Sequence, residues 1–155
     1  MTRIALLPVG LVLVLLTGCA QAPQPTLLPL QIQSLQTREY QAGKDAVFQA
    51  VISVFQDLGY TITNADKDTG LISAESAAQS DRASQLWGYT DVSQTKATGF
   101  VETVGGVTRV RLNFVEVRTK SSTYGQQDRQ DTPILDAVIY RNAFNKVESA
   151  IFLRS

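Results

Sequence analysis

Few residues in this chain have the chemistry for catalysis or metal binding. Its 155 residues hold one cysteine, Cys19, and no histidine. Without an imidazole there is no serine–histidine or cysteine–histidine pair and no histidine ligand for a metal, and one thiol cannot build a zinc, iron–sulfur or intramolecular disulfide site. The glutamates Glu39, Glu75, Glu102, Glu116 and Glu148 are the remaining acid–base material. A glycosidase pair is defined by separation in space, and nothing in their spacing along the chain selects two of them. Asp66 and Asp68 precede Gly70 in the manner of a calcium loop. An EF-hand loop counted from Asp66 wants glycine and glutamate where this chain has Leu71 and Ala77, so the segment reads as a solvated turn. The expectation is a protein that is not an enzyme, with no cofactor and no metal.

Charge narrows the partners. The chain carries 14 basic and 14 acidic side chains, a formal charge of zero, whereas a nucleic-acid binder normally carries a clustered basic excess. Arg109 and Arg111 share one face of a β-rich run and read as a solvated sheet face facing cross-strand carboxylates such as Glu102, the other reading being a grip on an anionic partner. Leu86, Trp87 and Tyr89 gather around Gly88, and Trp87 and Tyr89 are candidate partner contacts because tryptophan and tyrosine are favoured at binding hot spots. For Trp87 the preferred reading is a lid folded back on the core, with the partner contact as the other.

The single cysteine gains meaning from what precedes it. Arg3 is followed by an apolar run over residues 4–16, interrupted by Pro8 and Gly10, and then by Leu16-Thr17-Gly18-Cys19. Thirteen apolar residues fall short of the roughly 20 that cross a bilayer and suit a signal-peptide core. Leu16-Thr17-Gly18-Cys19 resembles the lipobox of bacterial lipoproteins. The resemblance implies that Leu16, Thr17 and Gly18 are read by signal peptidase II, that residues 1–18 are removed, and that Cys19 carries a diacylglycerol and a further acyl chain. Each buried CH₂ is worth about 0.8 kcal/mol, so three chains would hold the protein on a membrane permanently. Ala20, where aspartate would mark inner-membrane retention, implies the outer membrane with the domain in the periplasm, or the exterior of the cell membrane if the source has a single membrane. The mature chain would carry 13 basic and 14 acidic side chains, since Arg3 alone is lost.

Further along, Phe55-Gln56-Asp57-Leu58-Gly59-Tyr60, Ala65-Asp66, Gly70-Leu71-Ile72-Ser73-Ala74, Tyr140, Phe144 and Ala150-Ile151-Phe152-Leu153 are similar to a group of small outer-membrane lipoproteins of unassigned function. Those motifs are turn and core residues, so the resemblance implies a fold and a compartment and transfers no site. The small lipoprotein subunits of the outer-membrane β-barrel assembly and lipopolysaccharide-export machines are similar in general architecture only, which does not fix function.

The elements that must position these residues follow from periodicity. Residues 19–34 hold Pro23, Pro25 and Pro29 and read as a lipidated cysteine and a proline-rich tether, with Leu27, Leu28, Leu30 and Ile32 docking on the domain, or else on a partner. Residues 35–155 form one α+β domain. Residues 35–41 read as a strand. Val47, Val51, Val54, Phe55 and Leu58 give a helix over 44–58 that stops at Gly59, and strands over 60–65 and 71–76 flank a turn. Residues 77–88 read as an irregular connection, a loop or a short helix. Strands over 92–103 and 107–120 meet at Gly105-Gly106, with a β-bulge expected at Phe114 or Val115, where the apolar pattern slips by one residue. Residues 121–132 show no period. A last helix carries Ala137, Tyr140, Phe144, Val147 and Ile151, capped by Thr132 with Pro133 after it or by Asp136. The expected fold is a small antiparallel sheet of four to five strands with two helices packed on one face. Its expected role is a non-catalytic binding or assembly function toward an envelope protein, with a lipid- or glycan-binding module as the alternative and a cell-wall hydrolase behind both.

Overall fold

The computed structural model describes residues 27–81, 89–122 and 124–154. Leu16, Thr17, Gly18 and Cys19, expected to form a lipobox, and likewise Trp87, lie outside the described residues. The fold is α+β, built on one antiparallel sheet. The elements in chain order are α1 (Pro29–Gln36), β1 (Thr37–Tyr40), α2 (Lys44–Asp57), β2 (Tyr60–Asp66), β3 (Leu71–Ser76), β4 (Gln79–Ser80), β5 (Tyr89–Val104), β6 (Val107–Ser122), β7 (Gln127–Pro133) and α3 (Ala137–Phe152). The strand order is β1-β6-β5-β3-β2, with β4 also pairing β5 and β7 also pairing β6.

The expected helices and hairpins form for the expected reasons. In α2, Val47, Val51, Val54 and Phe55 are buried on one stripe, and Gly59 follows at φ 84°, a left-handed conformation that glycine adopts without steric cost. In α3 the cap is Asp136, whose carboxylate accepts from the Val138 N–H at 2.7 Å. Thr132 and Pro133 belong to β7 instead. Gly105 and Gly106 both take positive φ, 59° and 87°, which closes the two-residue turn between β5 and β6. The two helices cover one sheet face, where Tyr140, Phe144 and Val147 meet Ile72, Val101, Val110, Leu112 and Phe114. Phe55, Tyr60, Phe114 and Tyr140 form a chain of tilted and edge-on rings with centroids 5.3 to 6.2 Å apart.

Three expectations are corrected. The sheet has seven strands and the described residues hold three helices, more than the four to five strands and two helices expected. The added strands are short or wholly exposed. β7 is exposed at every position, so it has no buried face to impose an alternating pattern, and β4 is only two residues long. Both pair with the half of the β5–β6 hairpin that lies away from its turn.

Secondly, residues 29–34 are helical where an extended tether was expected. Pro29 stands at the first helical position, where its missing N–H costs nothing, and the Gln31 Oε1 accepts from the Leu28 N–H at 2.9 Å. Leu35 packs on the core, but Leu27, Leu28 and Leu30 are 38%, 65% and 78% exposed. These three stay largely in solvent, while Ile32, the fourth residue expected to dock, is half-buried.

Thirdly, no bulge interrupts β5 and β6 near Phe114: the register is unbroken from Tyr89 opposite Ser122 to Val104 opposite Val107. The slip in the pattern has another cause. The helix-covered core takes nothing from residues 89–96 or 115–122, and beyond Phe114 the apolar residues Val115 and Val117 sit on the opposite face. The bulge lies instead in β2, where Ile62 pairs Ala74 and Asn64 pairs Ser73, leaving Thr63 extra.

Candidate binding surface

The sheet face away from the helices is a candidate binding surface. Ala97 and Val101 of β5 and Val110, Leu112 and Phe114 of β6 point into the core, so the alternate residues face outward. The register sets them in rows. Leu71 of β3, Phe100 of β5, Arg111 of β6 and Thr37 of β1 form one row, and Glu102, Arg109 and Glu39 form the next. Gly70 fixes the start of β3 against this face. Its N–H donates to the Asp66 carbonyl at 2.9 Å and its carbonyl accepts from Val101 at 2.9 Å. At φ +82° a Cβ there would collide with the Val101 carbonyl.

Most charges on the sheet neutralise one another. Arg109 donates to Glu39 from Nε at 3.1 Å and Nη2 at 2.9 Å, and its Nη1 lies 3.7 Å from Glu102. Lys96 pairs with Glu75 at 2.8 Å, and Arg129 with Asp131 at 2.8 Å. The Lys96 ammonium beside Glu75, chiefly by hydrogen bonding to it, holds that carboxyl below the usual range, and Arg129 does the same to Asp131. Arg118 lies 3.8 Å from Asp91 and 3.5 Å from Glu116. Arg111 makes no ion pair among the described residues, and it stands in one row with Phe100 and Leu71, 38% and 40% exposed. An apolar pair beside an unneutralised guanidinium is suited to a partner presenting a carboxylate next to an apolar side chain.

The structure separates residues that the sequence grouped. Arg109 meets Glu102 as expected, and Glu39 as well, while Arg111 does not share their network. The pairing was countable in advance: a two-residue turn at Gly105-Gly106 sets Glu102 opposite Arg109 and Phe100 opposite Arg111. Phe100 and Leu71 were not singled out because each adjoins an inward-facing apolar residue, Val101 and Ile72, so the pair reads as core sequence and not as an outward face. Of the five glutamates, Glu39, Glu75, Glu102 and Glu116 are each engaged with a cation. The Asp66 Oδ1 accepts from the N–H groups of Asp68 and Thr69 at 3.0 and 3.4 Å, so this carboxylate organises a turn. Lys67 and Lys44 fasten that turn to the start of α2, through Asp45 at 2.8 Å and the Asp68 carbonyl at 2.9 Å.

Tyr89 is 43% exposed at the start of β5. It lines a concavity of about 560 Å³ with Lys120, Ser121, Ser122, Gln127 and Asp128. Trp87, its expected companion, lies outside the described residues.

No protein-family model matches the chain. No curated protein is significantly similar to it in sequence. Among solved structures it is similar to a DUF4468 family protein from Bacteroides ovatus, with 11% identity and a TM-score of 0.38, over 74% of this chain and 84% of that one. A likeness that distant carries neither a fold nor a site to this chain.

Proposed function

We propose that this protein is a lipid-anchored envelope protein of the outer membrane, facing the periplasm, whose domain binds another envelope protein and catalyses no reaction. The anchor reading rests on Leu16-Thr17-Gly18-Cys19 behind Arg3 and its apolar run. The binding reading is supported chiefly by the row Leu71, Phe100 and Arg111, where exposed apolar side chains stand beside the guanidinium that the sheet leaves unpaired. A photo-crosslinking amino acid at Phe100 in the living cell is expected to capture one envelope protein in stoichiometric yield, and Arg111→Glu in the same chain is expected to abolish that capture. Crosslinks scattered over many proteins, or unchanged by Arg111→Glu, would overturn the binding reading. The anchor is tested separately: Cys19→Ser is expected to leave a longer precursor that takes up no fatty-acid probe, and processing after residue 18 with retained labelling would refute it.

A second reading, a lipid- or glycan-binding module, is supported by the concavity at Tyr89, where an aromatic ring stands among hydroxyl, amide and charged side chains. Native mass spectrometry of protein purified from its own envelope is expected to show a bound small molecule under this reading, and a clean apo mass would sink it.

A further inference from the structure

The exposed leucines at the start of the described chain belong to a stretch with an unusual composition. No charged side chain occurs between Arg3 and Arg38. Within that stretch Leu27, Leu28 and Leu30 are 38%, 65% and 78% exposed, at the first turn of α1 and just before it. The other end of the helix is fixed to the domain. Leu35 packs on the core, and the Gln36 Nε2 donates to Asn113 Oδ1 at 3.2 Å and to the Tyr140 hydroxyl at 3.4 Å.

We propose that α1 rests on the lipid surface, with Leu27, Leu28 and Leu30 in the interfacial layer, and so fixes which way the domain faces. The inference rests on the reading of Cys19 as acylated. Seven residues separate Cys19 from Leu27, and a chain of that length reaches at most roughly 29 Å when fully extended. The leucines are therefore confined to a thin shell above the bilayer, where the local concentration of lipid surface exceeds that of any soluble partner. Exposed leucines held at that distance can bury themselves about 5–10 Å into the headgroup and acyl boundary. A docked protein would fit the apolar side chains equally well, but nothing in the stretch offers it a charge to recognise.

The experiment uses the acylated full-length protein in vesicles of phosphatidylethanolamine and phosphatidylglycerol. Acylation occupies the only native thiol, so Leu30→Cys or Phe152→Cys supplies a single site for an environment-sensitive fluorophore. Phe152 is 80% exposed and lies twelve residues beyond Tyr140 on α3, which places it about 18 Å further along that helix. The expected result is a blue shift at position 30 that is quenched by lipids carrying a nitroxide in the upper acyl chain, with water-like emission at position 152. Emission at position 30 that stays water-like on vesicle-bound protein would overturn the lipid seat and leave the anchor intact. Equal shifts at both positions, or a shift at position 30 in detergent-free protein without vesicles, would overturn it too, the latter by pointing to contact between copies. Failure of the acylated chain to co-sediment with vesicles would overturn the anchor reading itself, and this inference with it.

Discussion

The two ends of the β5–β6 hairpin are made from the same two strands and stabilised in different ways. From the turn to Phe114, the inward side chains are apolar apart from the Thr103–Thr108 pair near the turn, and α2 and α3 cover the apolar ones. Beyond Phe114 the pairing continues to Ser122 without a break, but the helix-side positions hold Asp91, Ser93, Glu116 and Arg118. Apolar character passes there to Val115 and Val117 on the other face, and Val117 is buried, with Gln94 and Asp131 as its cross-strand neighbours. The contrast separates two things that a hydrophobic pattern alone confuses. Pairing is set by the turn at Gly105-Gly106 and runs on regardless of burial; which face is apolar is set by what covers it.

The seam between the two ends has its own structure. β1 pairs β6 as far as Arg111, and β7 begins at Val115. In the gap between these edge strands the Phe114 N–H donates to the Tyr140 hydroxyl at 3.3 Å and the Phe114 carbonyl accepts from Ile134 at 2.9 Å. The backbone is thus satisfied where no strand reaches it.

If the covered end holds most of the stability, Phe114→Ala is the most damaging simple truncation. Its ring is 1% exposed among Phe55, Tyr60 and Tyr140, and its loss is expected to cost about 3–5 kcal/mol in denaturant unfolding. Val117→Ala, three residues on, removes buried carbon from the uncovered end and is expected to cost roughly 1.5 kcal/mol. Equal costs for the two would erase the distinction drawn between the ends.

The seam should come next in magnitude. Tyr140→Phe keeps the ring in the aromatic chain but removes the acceptor for the Phe114 N–H and the Gln36 amide. A buried donor left without a partner costs about 1–3 kcal/mol, so the variant should unfold at lower denaturant with its m-value unchanged. Hydrogen exchange should locate the loss at Phe114 and its flanks. A loss spread evenly over the sheet would argue that Tyr140 matters only through packing.

The same contrast governs how much the sequence revealed. Elements with one buried face, such as α2 and β3, carry a period set by that burial and were legible nearly to the residue. β7 was not, because all its positions face water and nothing selects apolar residues there. The slip at Val115 was visible, but its cause was not: a change of apolar face along an unbroken strand and a bulge give the same one-residue shift in pattern. Pro29 pointed toward polyproline as readily as toward a first helical position, and the Gln31 cap that decides between them is a single side chain. At the candidate surface, Arg109 and Glu102 were legible as cross-strand partners. The isolation of Arg111 was not, because it depends on the register of β1, which sets Thr37 and not Glu39 beside it, a pairing between distant parts of the chain.

The smallest expected effect concerns the uncovered end alone. Glu75, Lys96, Arg129 and Asp131 act on one another there: Lys96 lies against Glu75 and also lowers the Asp131 carboxyl, and Arg129 lies against Asp131 and also lowers that of Glu75. Both carboxyls titrate below their ordinary range in the folded chain, so their contribution is fully present above the unfolded value, near 4, and is lost as the pH falls through the folded one. The side chains are accessible to water, which screens such pairs and keeps the contribution small. Acidification should therefore loosen β7 and residues 115–121 of β6 before it touches the core. Hydrogen exchange across that pH range, corrected for its intrinsic rate, should show protection falling in β7 while residues 108–114 keep theirs, and concentrated salt at neutral pH should reproduce part of the same loss. If protection fell together across the whole hairpin, the ion pairs would be shown to hold up the covered end as well, and the division of the sheet at Phe114 would be wrong.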